Sequence, residues 1–447
     1  MKKRSELVFE KDLPQWEILK RILKLAFPVI LSNLLYVAQN AVSLLLVAPL
    51  GERAVAEIGF ASTLLWVVYA LMATVYTGLN VLTAQRTGAG EDTSSLPPVG
   101  MVLATLFALP VSLMGEGAVK LFLKLFIHDP TVIGGILEYL RPIFLLLPLA
   151  FATNAASAYF NGLGKTTVIF IATLFVTVLN VALAVVLIYG KLGLPALGVE
   201  GAGWAVAVAE SLALFVYLLF LPKLAPPSGE EFLRDAKQIL KIGLPSGVER
   251  AAMSFSYNVF VGLVAVCGIA VLAAFQIGLR IEAVSFTVGM AFSFAATTLA
   301  GQNFGANNPE GVKRAVYTTL KVAAAIMTSL GVAIFLAAKW VVGLFSSDPQ
   351  VVRWATTYLG IIAFSQPLIA VIFVLSGAIR GLGKTKIPLV VNLSNFWLVR
   401  IILAMLLLKV WKSPFVPWGT MIAENISRSS IYLFLFRDIS RDLNEKG

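Results

Sequence analysis

The chain has 447 residues, 58% of them hydrophobic and 13% charged, with a mean hydropathy of +0.87. A soluble domain carries charge on about a quarter of its residues, so a water-soluble fold is excluded and a polytopic membrane protein is implied. The formal charge of +11 points to anionic membrane lipids rather than nucleic acid, since no soluble stretch interleaves basic clusters with aromatics.

Residues 1–24 are charged and lack an apolar core followed by a small-residue cleavage site, so no cleavable signal peptide is expected. Leu13, Trp16, Leu19 and Leu23 fall near helical spacing among charges, which predicts an interfacial helix in this cytoplasmic segment. Apolar stretches of roughly 20 residues, enough to cross a ~30 Å hydrocarbon core, follow near 25–47, 55–82, 98–118, 136–160, 167–190 and 201–221. Residues 222–242 open with Pro222, Pro226 and Pro227 and continue through Glu230, Glu231, Arg234, Asp235 and Lys237, a helix break and then a polar linker. Six further stretches lie near 243–267, 270–299, 315–337, 355–379, 387–409 and 418–436, ahead of a tail over 437–447. The fold expected is all-α, with twelve transmembrane helices in lobes 25–221 and 243–436.

The two halves repeat one another. Lys24-Leu25-Ala26-Phe27-Pro28 returns as Lys241-Ile242-Gly243-Leu244-Pro245, and Gln85-Arg86-Thr87-Gly88-Ala89 as Gln302-Asn303-Phe304-Gly305-Ala306, both 217 positions on. At a spacing of 219, Asp129-Pro130 matches Asp348-Pro349, Pro148 matches Pro367, and Gly162-Leu163-Gly164-Lys165-Thr166 matches Gly381-Leu382-Gly383-Lys384-Thr385. Paired membrane halves are how secondary transporters build a central site reachable from either side. The matched prolines Pro28, Pro148, Pro245 and Pro367 lie inside spans, where each removes a backbone hydrogen bond and favours a bend, so they are candidate hinges.

With a cytoplasmic start, twenty-one lysines and arginines fall in inside segments and eight in outside ones. Both termini are then cytoplasmic by the positive-inside rule, in a plasma (inner) membrane. Gly164-Lys165-Thr166 ends like a phosphate-binding loop, but Tyr159 stands where that loop needs glycine, and Ala378 does so in the second copy. Both read as tight turns. With one cysteine, Cys267, and one histidine, His128, neither a disulfide nor a metal site is expected, and no cofactor is implied.

Gln276-Ile277-Gly278-Leu279-Arg280-Ile281-Glu282, then Ser285-Phe286 and Ala300-Gly301-Gln302-Asn303-Phe304-Gly305-Ala306, resemble the eighth span and following loop of MATE multidrug efflux transporters, especially the DinF-like branch. Leu375-Ser376-Gly377-Ala378-Ile379-Arg380-Gly381-Leu382-Gly383 resembles the tenth-span exit of the same family. The resemblance implies two six-helix bundles forming a V around a cleft. It also implies export of small organic, often cationic, compounds in exchange for H⁺ or Na⁺, by a transporter and not an enzyme. Several of the family's coupling carboxylates are missing. Ser43 and Ala184 stand where aspartates occur in proton-coupled relatives, while Met253 and Ile369 replace the glutamate and aspartate of the sodium-coupled branch.

What remains polar within the spans divides by half. On the first span Ser32, Tyr36, Gln39, Asn40 and Ser43 form a neutral stripe on one helix face. With Asn154, Asn180, Tyr257 and Gln276 they are candidates to line a substrate cavity, or else to hydrogen-bond helix to helix. The second half concentrates charge: Glu249, Arg250, Arg280, Glu282, Arg400, Glu424 and Arg428, against a single deep acid, Glu210, in the first. Intramembrane charges are costly and default to function. Glu249, Glu282, Arg280 and Arg400 are therefore the coupling candidates, with pairings such as Glu249 with Arg280 or Glu282 with Arg250 or Arg400, and a purely structural ion-pair network is the rival. The function expected is a proton-driven efflux antiporter, working as a monomer. The alternative is a flippase for an amphipathic lipid or lipid-linked saccharide, suited to an anionic head by the arginine excess; a channel is disfavoured by the absence of a charged pore ring.

Overall fold

A computed structural model describes residues 5–10, 12–221 and 224–445, apart from the side chains of Trp66 and Asn444. Among them are twelve long helices and no strand: α1 (Gln15–Val47), α2 (Glu52–Ala89), α3 (Leu96–Lys124), α4 (Pro130–Gly162), α5 (Thr166–Tyr189), α6 (Gly198–Phe220), α7 (Gly229–Ala265), α8 (Ile269–Gly305), α9 (Pro309–Gly343), α10 (Pro349–Gly381), α11 (Lys386–Val410) and α12 (Phe415–Glu445). By length and composition ten can cross a membrane. The other two, α7 and α12, carry Glu249 and Arg250 or Glu424 and Arg428 within their apolar stretches, which lowers their hydropathy. The helix expected over 13–23 is not separate. It enters α1 without a break, because Ile18, Ile22 and Leu25 are buried against the α8, α9 and α10 core while Trp16, Leu19 and Leu23 stay exposed.

Local chemistry sets the helix ends, and it repeats. Asp129 and Asp348 cap α4 and α10 by accepting from the amides of Thr131 and Gln350, each followed by proline at the first helical position, where the missing N–H costs nothing. At the other end of those helices Gly164 and Gly383 take φ of 77° and 78°. The amide of Lys165 donates to the Phe160 carbonyl at 2.9 Å and that of Lys384 to Ile379 at 3.2 Å. These are left-handed C-terminal closures, so the two Gly-Lys-Thr sequences are turns.

The helices group into two compact units. One contains Leu31–Thr83 and Asp92–Gly247; the other contains residues up to Ile30, Ala84–Glu91, and Val248 onward. In the first, α4 packs on α3 and α6; in the second, α10 packs on α9 and α12, the same arrangement one repeat later. Large apolar side chains such as Leu113, Phe215, Leu336 and Phe364 are more than half exposed, as a surface facing lipid requires. All four candidate hinge prolines lie within helices: Pro28 in α1, Pro148 in α4, Pro245 in α7 and Pro367 in α10.

Candidate functional site

In the second unit Glu249 is buried at the meeting of four helices. Its Oε1 accepts from Arg380 Nη2 of α10 at 2.7 Å and from Asn392 Nδ2 of α11 at 2.6 Å. Asn392 Oδ1 in turn accepts from the Tyr432 hydroxyl of α12 at 2.8 Å. Arg380 also donates to Ser376 Oγ, one helical turn back. The other carboxylate oxygen, Oε2, is buried without a hydrogen-bond partner among the described residues.

Arg380 is the residue the sequence reading misses, because its neighbours Gly381, Leu382 and Gly383 read as a loop. Helix α10 runs to Gly381, and the guanidinium turns inward. Glu249 accordingly pairs with Arg380, not with Arg280, which lies with Gln276 and Val284 on an exposed face of α8.

Arg400 lies within electrostatic range of Glu282, but its direct ion pair among the described residues is with Glu424. Its Nη2 donates to Glu424 Oε2 at 2.7 Å, and Arg428 Nε lies 2.9 Å from Glu424 Oε1. Arg400 stands in a π-helical turn of α11, Phe396–Ile402. Its guanidinium lies 4.7 Å from the Phe396 ring centroid and 5.4 Å from that of Phe260, so two aromatic faces share its charge. Glu282 instead accepts from the Tyr358 hydroxyl at 2.6 Å. Gly278, one turn before, makes this possible, because a Cβ there would overlap the Tyr358 ring. Tyr257 stacks on Phe275, and Phe275 meets Tyr358 edge-on at 5.3 Å.

In the other unit the α1 stripe divides. Gln39 accepts from Thr177 at 3.0 Å and Ser43 donates to Asn180 at 3.2 Å, so these residues tie α1 to α5, and Ser32 is buried as well. Tyr36 and Asn40 stay exposed and hydrogen-bonded to one another, with Tyr69 joined to Tyr36. Glu210 on α6 lies within electrostatic range of Tyr36, Tyr69 and Tyr139 and has no ion pair among the described residues. Asn154 on α4 is half-buried, beside Thr153, whose hydroxyl reaches the Glu210 carbonyl at 3.2 Å. Among the described residues no cluster of histidine, cysteine, aspartate and glutamate could hold a metal.

The MatE family model matches residues 28–186 and 245–406, one stretch in each half of the repeat. The chain belongs to the MatE family. It is therefore an integral membrane transporter and not an enzyme. It is 27% identical to the probable multidrug resistance protein NorM of Thermotoga maritima, covering 96% of this chain and 95% of that one. To the NorM of Pseudomonas putida it is 30% identical, over 85% and 86%. In structure it matches a MOP superfamily transporter from Pyrococcus furiosus with a TM-score of 0.86, covering 97% and 100%; at 20% identity that likeness concerns the fold.

Proposed function

We propose that this MatE transporter is a secondary active multidrug efflux antiporter, exporting small organic, cationic or amphipathic compounds in exchange for H⁺. It works as a monomer in the plasma membrane, with lobes 25–221 and 243–436, the 222–242 linker and both termini on the cytoplasmic side. The names of the relatives support the efflux reading. The observation that carries the choice of ion is the buried Glu249, one oxygen bound by Arg380 and Asn392 and the other without a hydrogen-bond partner among the described residues. A sodium ion needs several oxygens in one place, whereas Met253 and Ile369 supply none. A proton needs one carboxylate whose surroundings change as the transporter opens and closes. Glu282, which accepts from the Tyr358 hydroxyl and lies within electrostatic range of Arg400, is the second coupling candidate. Arg280 and Arg400 tune the local charge; within the first unit Tyr36, Asn40 and Asn154, which are not spent on the α1–α5 bonds, are the residues left to meet substrate, and the four prolines let their helices bend.

A second reading, export of an anionic amphipathic lipid, is favoured by the exposed α8 face with Arg280 and Gln276. Both are tested by reconstituting the protein and following a cationic dye under an imposed pH gradient, with and without Na⁺. Dye export driven by the pH gradient alone is expected. Export that follows a Na⁺ gradient at constant pH and ignores an imposed pH gradient overturns the choice of ion, and lipid translocation without dye export favours the second reading.

A further inference from the structure

Where α1 begins, residues 5–10 are strapped to the α8–α9 connection. The Phe9 amide donates to Asn303 Oδ1 at 2.8 Å, Asn303 Nδ2 donates to the Leu7 carbonyl at 2.9 Å, and Asn308 Nδ2 donates to the Phe9 carbonyl at 2.6 Å. Arg314 closes the strap by donating to the carbonyls of Glu10 and Leu13. Beside it lies a cavity of about 300 Å³ lined by Gln15, Lys313, Arg314, Tyr317, Thr318 and Lys321, with Glu310 the one carboxylate in its wall. Since Arg314 is engaged by the strap, the cavity offers two ammonium groups, Lys313 and Lys321, neither in an ion pair among the described residues. It adds the hydroxyls of Tyr317 and Thr318. Lys313, Tyr317 and Lys321 are at i, i+4 and i+8, one face of α9, and Tyr317 is steadied edge-on against Phe436 at 5.7 Å.

Two further observations give the depth. Between Lys321 and Lys339 run seventeen residues without a charge, about 27 Å of helix, close to the thickness of a hydrocarbon core. Lys321 therefore marks the edge of that core, and the cavity lies in the headgroup layer. Next to Gln15, α1 exposes Trp16, Leu19, Leu23 and Phe27, a lipid-facing stripe with an interfacial tryptophan whose ring lies under Lys20 Nζ at 5.6 Å.

We propose that this cavity binds the phosphodiester headgroup of an anionic phospholipid, its acyl chains lying along the exposed stripe of α1. The two ammonium groups answer the phosphate charge and the hydroxyls its remaining oxygens. An occupied cavity braces the strap through Arg314 and Gln15.

The test is native mass spectrometry of the purified full chain titrated with phosphatidylglycerol or phosphatidylcholine. The wild type is expected to retain phosphatidylglycerol preferentially, and Lys313→Gln/Lys321→Gln to bind it about thirty-fold more weakly, from two basic contacts. Lys313→Arg/Lys321→Arg keeps the preference, and Lys409→Gln/Lys412→Gln, in and after α11, leaves it unchanged. Equal retention by the wild type and the double glutamine variant overturns the site. Displacement of the lipid by equimolar inorganic phosphate overturns the assignment to a lipid, since it identifies a free-anion site.

Discussion

Gly88 and Gly305, 217 positions apart, each lie against the main chain that precedes the other: Gly88 on the Gln302 carbonyl and Gly305 on the Gln85 carbonyl. The ends of α2 and α8 thus cross by a reciprocal backbone contact, the repeat meeting its own copy. Gln85 reinforces it by donating from Nε2 to the Gly381 carbonyl at 2.9 Å. A Cβ at either glycine overlaps backbone, which cannot swing aside. Gly88→Ala and Gly305→Ala are each expected to cost about 1–3 kcal/mol, read as a fall in melting temperature in detergent. Unchanged melting in both variants contradicts the contact.

Coupling ranks the carboxylates. Glu249→Gln and Glu282→Gln are expected to lower pH-driven dye efflux more than Glu210→Gln. The first two are held by partners that can respond to protonation, Arg380 and Tyr358, whereas Glu210 has only the surrounding tyrosines. Parallel efflux assays in vesicles decide it. If Glu210→Gln is the most damaging, coupling belongs to the other unit.

The Arg400, Glu424 and Arg428 triad makes an asymmetric prediction. Glu424→Gln leaves two arginines facing one another inside the protein and is expected to cost about 3–5 kcal/mol. Arg428→Met leaves the Arg400 to Glu424 pair intact and costs clearly less. Urea or thermal unfolding of both variants gives the order, and the reverse order refutes the assignment of Glu424 as the shared acceptor.

Asp129 lies outside the spans, and its carboxyl is held below the usual aspartate range by the Thr131 hydroxyl and then the Thr131 amide. A depressed folded value means that the cap contributes fully above the unfolded value, about 3.9, and is lost as pH falls through the lower folded one. Hydrogen exchange at the Thr131 amide should stay slow at pH 5 and quicken only below about pH 4, relative to Asp129→Asn, whose neutral cap has no such midpoint. Identical pH profiles remove the carboxylate from the cap.

Much of the fold was legible because it is written in periodicity and punctuation. Gly164 and Gly383 were read as turns after spans, and the repeat matched Asp129-Pro130 with Asp348-Pro349, which the structure shows to be two equivalent helix starts. The site was less legible, because charge partners are a matter of which way a side chain turns. Arg380 stands beside a glycine turn and so reads as a loop cation, while Asn392 and Tyr432 lie in apolar spans with nothing to single them out. The π-helical turn at Arg400 has neither proline nor glycine to announce it. Gly278 was visible within a motif, but its purpose, room for the Tyr358 ring, belongs to a helix some eighty residues away.

The bond from the Phe9 amide to Asn303 spans 294 residues, and that separation imposes an order of events on biosynthesis. At roughly 5–20 residues per second, Phe9 is synthesised about 15–60 s before Asn303. Throughout that interval the start of the chain has no partner for its strap, and Ile18 and Ile22 have no core to enter. The first helix must cross the membrane early and finish its packing late, so the unit that holds the chain's beginning is among the last parts of the molecule to close.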